Sequence, residues 1–264
     1  MVMSSLPIYQ VDAFTCGPFT GNPAAICLLS GWLSDDILQK IAMENNLAET
    51  AFIVPQNNEW LIRWFTPALE VDLCGHATLA SAHVVMKVLY PEKQEVVFRS
   101  QKMGSLTVRK RGDILELDFP SDPPRKCDMP VLIAGSLGIE PLESYMGRSD
   151  YLLLYESEND IISLQPDFRS LANADGRGVI VTAPGSDVDF VSRFFAPQSG
   201  IDEDPVTGSA HTTLTPFWAD RLGILSLKAR QLSSRGGYLE CSLNGERTYI
   251  SGRTVLYLQG EIFI

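Results

Sequence analysis

Polar and apolar positions alternate along much of this chain, in short runs broken by Gly, Pro and Asn. PIYQVDAF (7–14) alternates and predicts a strand, and the following TCGPFTGNP predicts a loop. AAICLL (24–29) is short and wholly apolar, as a buried strand would be. LSDDILQKIAMENN (33–46) changes period: Ile37, Leu38, Ile41 and Ala42 share one helical face, with Ser34 placed to cap it. ETAFIVP and EWLIRWFTP (59–67) return to strand, the latter ending at Pro67. GHATLASAHVVMKVLY (75–90) is apolar nearly all round, which predicts a buried helix.

The second half has the same texture. Residues 95–120 give three strands with Gly-containing turns, and CDMPVLIAGSLGIEP gives a short helix. DYLLLYES, GVIVTAP and FVSRFFAP predict strands. GSAHTTLTPFWADRLG (208–223) predicts a second apolar helix, interrupted or begun late because of Pro216. Hairpins follow to the C-terminus. Many short strands with few helices predict an α+β fold.

A weak internal repeat organises these elements. Arg63-Trp64-Phe65-Thr66-Pro67 matches Arg193-Phe194-Phe195-Ala196-Pro197, and the same offset pairs Val71-Asp72 with Ile201-Asp202. After a small insertion, Gly75-His76-Ala77 matches Gly208-Ser209-Ala210. Two buried helices therefore begin with glycine, and each start offers unpaired N–H groups that a ligand can approach closely. If both starts face one cleft, they would hold a small anion.

Composition narrows the function. The chain has 264 residues, room for two ordinary domains or one large one, with 45% hydrophobic and 20% charged residues. No apolar run reaches the roughly 20 residues of a membrane span. MVMSSLPIYQVDAF lacks a basic segment followed by an apolar one, so no signal peptide is expected. Five scattered cysteines without metal spacing predict a reduced, cytoplasmic setting and no metal. A formal net charge of −11 argues against nucleic acid but leaves a small anionic or zwitterionic substrate open. No phosphate loop or dinucleotide fingerprint appears, so no cofactor is expected.

GNPAAICLL, NLAETAFIV, RWFTPALEVDLCGHATLASAH, RFFAP, EDPVTGSAH and the late RGG together resemble the PhzF family of phenazine-biosynthesis-like isomerases, in order and over nearly the whole chain. The resemblance implies a diaminopimelate-epimerase-like fold. It has two similar α+β domains, each a barrel-like sheet around a central helix, with the active site between them. The expected boundaries are 1–120 and 121–264, with the final strand a candidate to rejoin the first domain. It also implies cofactor-independent proton transfer by the glutamate of ETAF, here Glu49. Gly75-His76 match the family's helix-start pair, and Asp204 and Ser209 its DPxTGS pair.

Each of these residues has a plainer role as well. Glu49 by position alone is a turn acid; as a shuttle it needs partly apolar surroundings that raise its pKa toward neutrality. His76 is a capping or core residue, or else a hydrogen-bond donor or second acid/base. His83 and His211 are expected to be structural. Asp202, Glu203 and Asp204 precede a helix, where acids complement the dipole by about 0.3–1 kcal/mol each. Asp204 in the family reading also accepts from a substrate amino or hydroxyl group, while the N–H groups of Gly208 and Ser209 take its carboxylate; Asp202 and Glu203 are left without a role. Asn22 and Pro23 are expected to shape a loop. Cys74 stands where related racemases carry one of two opposed cysteines, but the second half has none in the matching place, so a small core residue is the simpler reading.

The leading expectation is an isomerase moving a proton on a small carboxylated metabolite through Glu49, His76 and Asp204, with Gly75, Gly208 and Ser209 binding the substrate. The alternatives are a catalytically silent binding protein of the same fold and an epimerase using Cys74. A homodimer is the one macromolecular assembly kept open.

Overall fold

A computed structural model describes residues 5–264; the first four residues of the segment inspected for a leader lie outside it. The chain divides into two compact units. One ends at Asp118 and takes in Ser251–Ile264, and the other is Phe119–Ile250. No helix among the described residues is long and apolar enough to cross a membrane.

In the first unit Ser5–Ala13 pairs antiparallel with Asn22–Leu28 on one side and with Thr254–Phe263 on the other. Helix Asp35–Asn45 then crosses over, so that Glu49–Gln56 returns parallel to Asn22–Leu28. Glu59–Phe65 pairs antiparallel with Glu49–Gln56 and carries the short strand Glu70–Val71 on its end. Glu95–Ser100 runs parallel to Glu59–Phe65 and continues into the antiparallel Gly104–Arg111. The sheet surrounds helix Gly75–His83, every residue of which is buried. The apolar circumference seen in the sequence is the cause: a helix with no polar face is stable only when enclosed.

The second unit repeats this order. Helices Glu158–Ser163 and Phe168–Leu171 connect Asp150–Leu154 to the parallel strand Gly178–Pro184. Phe190–Ala196 pairs antiparallel with Gly178–Pro184, carries Ile201–Glu203, and runs parallel to Ser226–Gln231. Ser226–Gln231 turns into the antiparallel Gly237–Asn244. Helix Gly208–Leu222 packs against Asp150–Leu154, Ser226–Gln231 and Gly237–Asn244.

One latch marks the duplication at atomic level. Arg63 donates through Nε and Nη2 to both oxygens of Glu70, each at 2.7 Å, and lies over the Phe65 ring. Arg193 does the same to Glu203, at 2.8 and 2.9 Å, over Phe195. The counterpart of Glu70 is thus Glu203, three positions beyond the constant offset read in the sequence. The extra residues sit where the register shifts between Phe195 and Ala196. Glu203, without a role in the sequence reading, fastens the short strand to the Arg193 strand.

Two helices differ from the sequence reading. Helix Gly208–Leu222 begins on time and is uninterrupted, with Pro216 inside it. Proline removes the bond to the carbonyl four residues earlier, that of Thr212; the backbone N–H of Asp122 donates to that carbonyl instead, at 3.0 Å. The first buried helix is α-helical only to His83 and widens into a π-helix over Val84–Leu89, without a glycine or proline to announce the change. Short elements at Glu143–Met146 and Glu158–Ser163 have patterns too brief to be read from sequence.

Candidate active site

Four side chains converge in the first unit. Glu49 is the first residue of its strand, opposite Ala24, and Asn22 opens the neighbouring strand. Cys74 is the N-cap of the buried helix and His76 its second residue. The helix start is fixed by Thr78, whose N–H and hydroxyl both donate to the Cys74 carbonyl, at 3.1 and 2.6 Å. His76 Nε2 lies 3.1 Å from Glu49 Oε2. On the other side of the ring, Nδ1 is 3.1 Å from Asn22 Nδ2 and 3.5 Å from Cys74 Sγ. The donor atoms of Glu49, Cys74 and His76 all lie within 4.8 Å of one another.

Burial sets the electrostatics. Glu49 is 9% exposed, Cys74 6% and His76 3%. Burial disfavours the charged imidazole, but the neighbouring Cys74 sulfur and, next, the Glu49 carboxylate in contact with Nε2 carry the His76 pKa well above 6.5. Burial, with the Glu49 charge beside it, pushes the Cys74 thiol up to about 11. Cys74 is therefore a neutral thiol at physiological pH, whereas Glu49 and His76 are placed to exchange a proton.

Asn22 belongs to this group, although the sequence suggests only a loop. It is fully buried. The glycine before it has φ +74°, and a Cβ at Gly21 would lie 2.3 Å from the Ala13 carbonyl oxygen. Only glycine tolerates that turn, and the turn delivers Asn22 to His76.

The second unit assembles Asp204, Thr207, Gly208 and Ser209 around the start of the other buried helix. The Thr207 hydroxyl donates to Asp204 Oδ2 at 2.5 Å. Gln231 braces the turn from below: its Nε2 donates to the Asp204 carbonyl at 2.7 Å, and its Oε1 accepts from the Thr207 N–H at 2.8 Å. His211 faces the Thr207 carbonyl oxygen through Nδ1 at 2.8 Å. Full burial lowers the His211 pKa to about 4, so the ring is neutral and Nδ1 carries the proton that Thr207 accepts. Arg177, paired with both oxygens of Asp150, also donates to the Ser209 hydroxyl at 3.0 Å. Gln231 and Arg177 lie far from the motifs in sequence, and no local signal marks either.

The structure thus brings Glu49, Gly75 and His76 together in one unit, and Asp204, Gly208 and Ser209 together in the other. The helix start that carries Cys74 as N-cap in the first unit carries Thr207 in the second.

Comparison with known proteins adds four likenesses. The PhzC-PhzF family model, described as phenazine biosynthesis-like protein, matches residues 11–260. A curated protein of Pseudomonas aeruginosa, named as an uncharacterized isomerase, is 50% identical over 257 residues, 97% of this chain and 98% of its own. The crystal structure of a PhzF-family phenazine biosynthesis protein from Enterococcus faecalis superposes with a TM-score of 0.95 at 44% identity, covering 99% of this chain and all of that one. A predicted epimerase from Pseudomonas aeruginosa shares the fold at 18% identity and a TM-score of 0.74.

Proposed function

As this chain belongs to the PhzC-PhzF family of phenazine biosynthesis-like proteins and is an isomerase, we propose that it moves a proton on a small carboxylated metabolite, with Glu49 as the shuttle. The observation that carries this reading is the buried contact of 3.1 Å between Glu49 Oε2 and His76 Nε2. A carboxylate that takes a proton from one carbon and returns it to another must keep that proton away from bulk water. The low exposure of Glu49 meets that need, and His76 holds its carboxylate by a hydrogen bond while it waits.

Asp204 binds a polar group of the substrate, and the helix-start N–H groups at Gly75, Gly208 and Ser209 bind its carboxylate. Support for the second role comes from the bracing of the Asp204–Ser209 turn by Gln231, His211 and Arg177. A pair of opposed thiols does not suit this chain, because the place equivalent to Cys74 is Thr207 and because Cys74 remains protonated. Five free thiols without a disulfide fit a reducing, cytoplasmic setting.

The test is solvent exchange. The protein is incubated in D2O with a panel of small unsaturated, hydroxy and amino acids, and carbon-bound deuterium is followed by NMR. Wild type should label at least one of them. Glu49→Gln, which keeps the shape but cannot take a proton, should label about 10²–10⁴-fold more slowly. A Glu49→Gln protein that labels at nearly the wild-type rate would end the proposal.

A further inference from the structure

The cluster around His76 also has the make-up of a metal site. We propose that Glu49, Cys74 and His76 bind a single borderline-soft divalent cation, zinc in particular, and that the bound ion silences the enzyme by occupying its proton-shuttling carboxylate. The silencing rests on the role of Glu49 proposed above; the binding does not.

The donor set comes first. One thiol, one imidazole and one carboxylate are the three ligand types zinc takes, and three protein ligands leave its fourth position for water or an anion. Magnesium and calcium would find a single carboxylate and no other protein oxygen of the trio to hold them. The spacing agrees as well. With metal–ligand distances of roughly 2.0–2.3 Å, tetrahedral zinc holds its donors about 3.3–3.6 Å apart. Here Oε2 of Glu49 is 3.1 Å and Sγ of Cys74 is 4.0 Å from Nε2 of His76. Sγ lies nearer Nδ1, at 3.5 Å, than Nε2, so the Cys74 and His76 side chains must turn about their own bonds to close the shell.

Charge and support complete the argument. The three groups are largely buried, and a lone dication there would be poorly tolerated. Binding sends the thiol proton, and any proton shared by Glu49 and His76, to solvent. A thiolate and a carboxylate then cancel the two positive charges, and the complex is neutral. A ligating imidazole also donates its other N–H to a partner; the Asn22 amide, 3.1 Å from Nδ1, fills that place when it turns Oδ1 rather than Nδ2 toward the ring. Apart from His76, the buried Oε2 of Glu49 has no polar partner among the described residues to lose.

Cobalt(II) added to the full-length reduced protein is the probe, because a cobalt–thiolate bond absorbs in the near ultraviolet and tetrahedral cobalt absorbs strongly in the visible. One equivalent should produce both signals, and zinc should erase them. Cys74→Ser should remove the thiolate band and weaken binding by at least about 10–100-fold, while Cys16→Ser, which removes the exposed thiol, should change neither. A measurement on the unaltered protein guards against misfolded variants: zinc should protect Cys74 from iodoacetamide, read by mass spectrometry, and magnesium should not. A band that survives in Cys74→Ser, cobalt binding without a thiolate band, or alkylation of Cys74 unaffected by zinc would each overturn the site. None of these readings depends on turnover, so a failure here is distinct from a failure of the Glu49 shuttle.

Discussion

His211 is a buried neutral histidine whose ring holds the turn that carries Asp204 and Ser209, and acid should loosen that turn by a calculable amount. Its pKa falls from 6.5 to about 4 in the folded protein. The unfolded chain therefore binds a proton at this ring between those values while the folded protein does not. The stabilisation is complete above pH 6.5 and is lost as pH falls toward 4. At pH 5 the linkage integral for one group with these two pKa values is about 2 kcal/mol, and below pH 4 it levels off at about 3.4 kcal/mol. The assay compares wild type with His211→Gln in urea, following the fluorescence of Trp218, whose indole stacks on Phe190 beside the His211 ring. At pH 8 the variant should be the less stable, having lost the packing on Phe190. At pH 5 the gap should narrow by about 2 kcal/mol, since glutamine has no proton to bind. His76 and His83 titrate in both proteins and cancel in the difference. A gap independent of pH, or a His211 ring resonance that titrates near 6.5, would refute the reasoning.

Three further outcomes are expected. Gly252→Ala should lower stability by about 1–3 kcal/mol in thermal melts, because the new methyl would sit 2.6 Å from Cδ1 of the fully buried Phe14. Arg193→Lys should cost about 1–3 kcal/mol despite keeping the charge, since lysine cannot reach both oxygens of Glu203 and the carbonyls of Ile161 and Leu164 together; urea titration reads the loss. Iodoacetamide at pH 7.5 should label exposed Cys16 well before Cys27, Cys74 or Cys241, whose buried thiols are pushed up to about 12, 11 and 12; peptide mapping gives the order.

The sequence reveals elements where one physical cause dominates. The helices at Gly75 and Gly208 are legible because apolar residues on every side leave them no alternative to enclosure. The repeat is legible at Arg63 and Arg193 because each arginine clamps a short strand through both oxygens of one glutamate, a pairing that no neighbouring residue can share. Glu49, His76, Asp204 and Ser209 are found through long motifs rather than through chemistry visible locally. What escapes is whatever depends on a distant partner. Pro216 looks like a helix breaker until the Asp122 N–H is seen taking up the freed carbonyl. Asn22 looks like a loop residue until Gly21 turns it toward a histidine 54 positions away. Glu203 looks like one of three acids near a helix dipole until Arg193 claims it.

The closure of Ser5–Ala13 by Thr254–Phe263 has a consequence for the order in which the chain can fold during synthesis. The unit Phe119–Ile250 is contiguous and complete once its own residues have emerged. The other unit cannot finish then, because the strand that covers the outer side of Ser5–Ala13 is made only after Ile250. About 240 residues separate the two strands, a wait of roughly 10–50 s at translation rates of about 5–20 residues per second. Over that interval the nascent N-terminal strand keeps one hydrogen-bonding edge bare, the kind of edge that recruits foreign strands. The half of the protein that holds Glu49 and His76 is thus begun before the other and sealed after it, and a chain cut short before Thr254 would leave that edge of Ser5–Ala13 open.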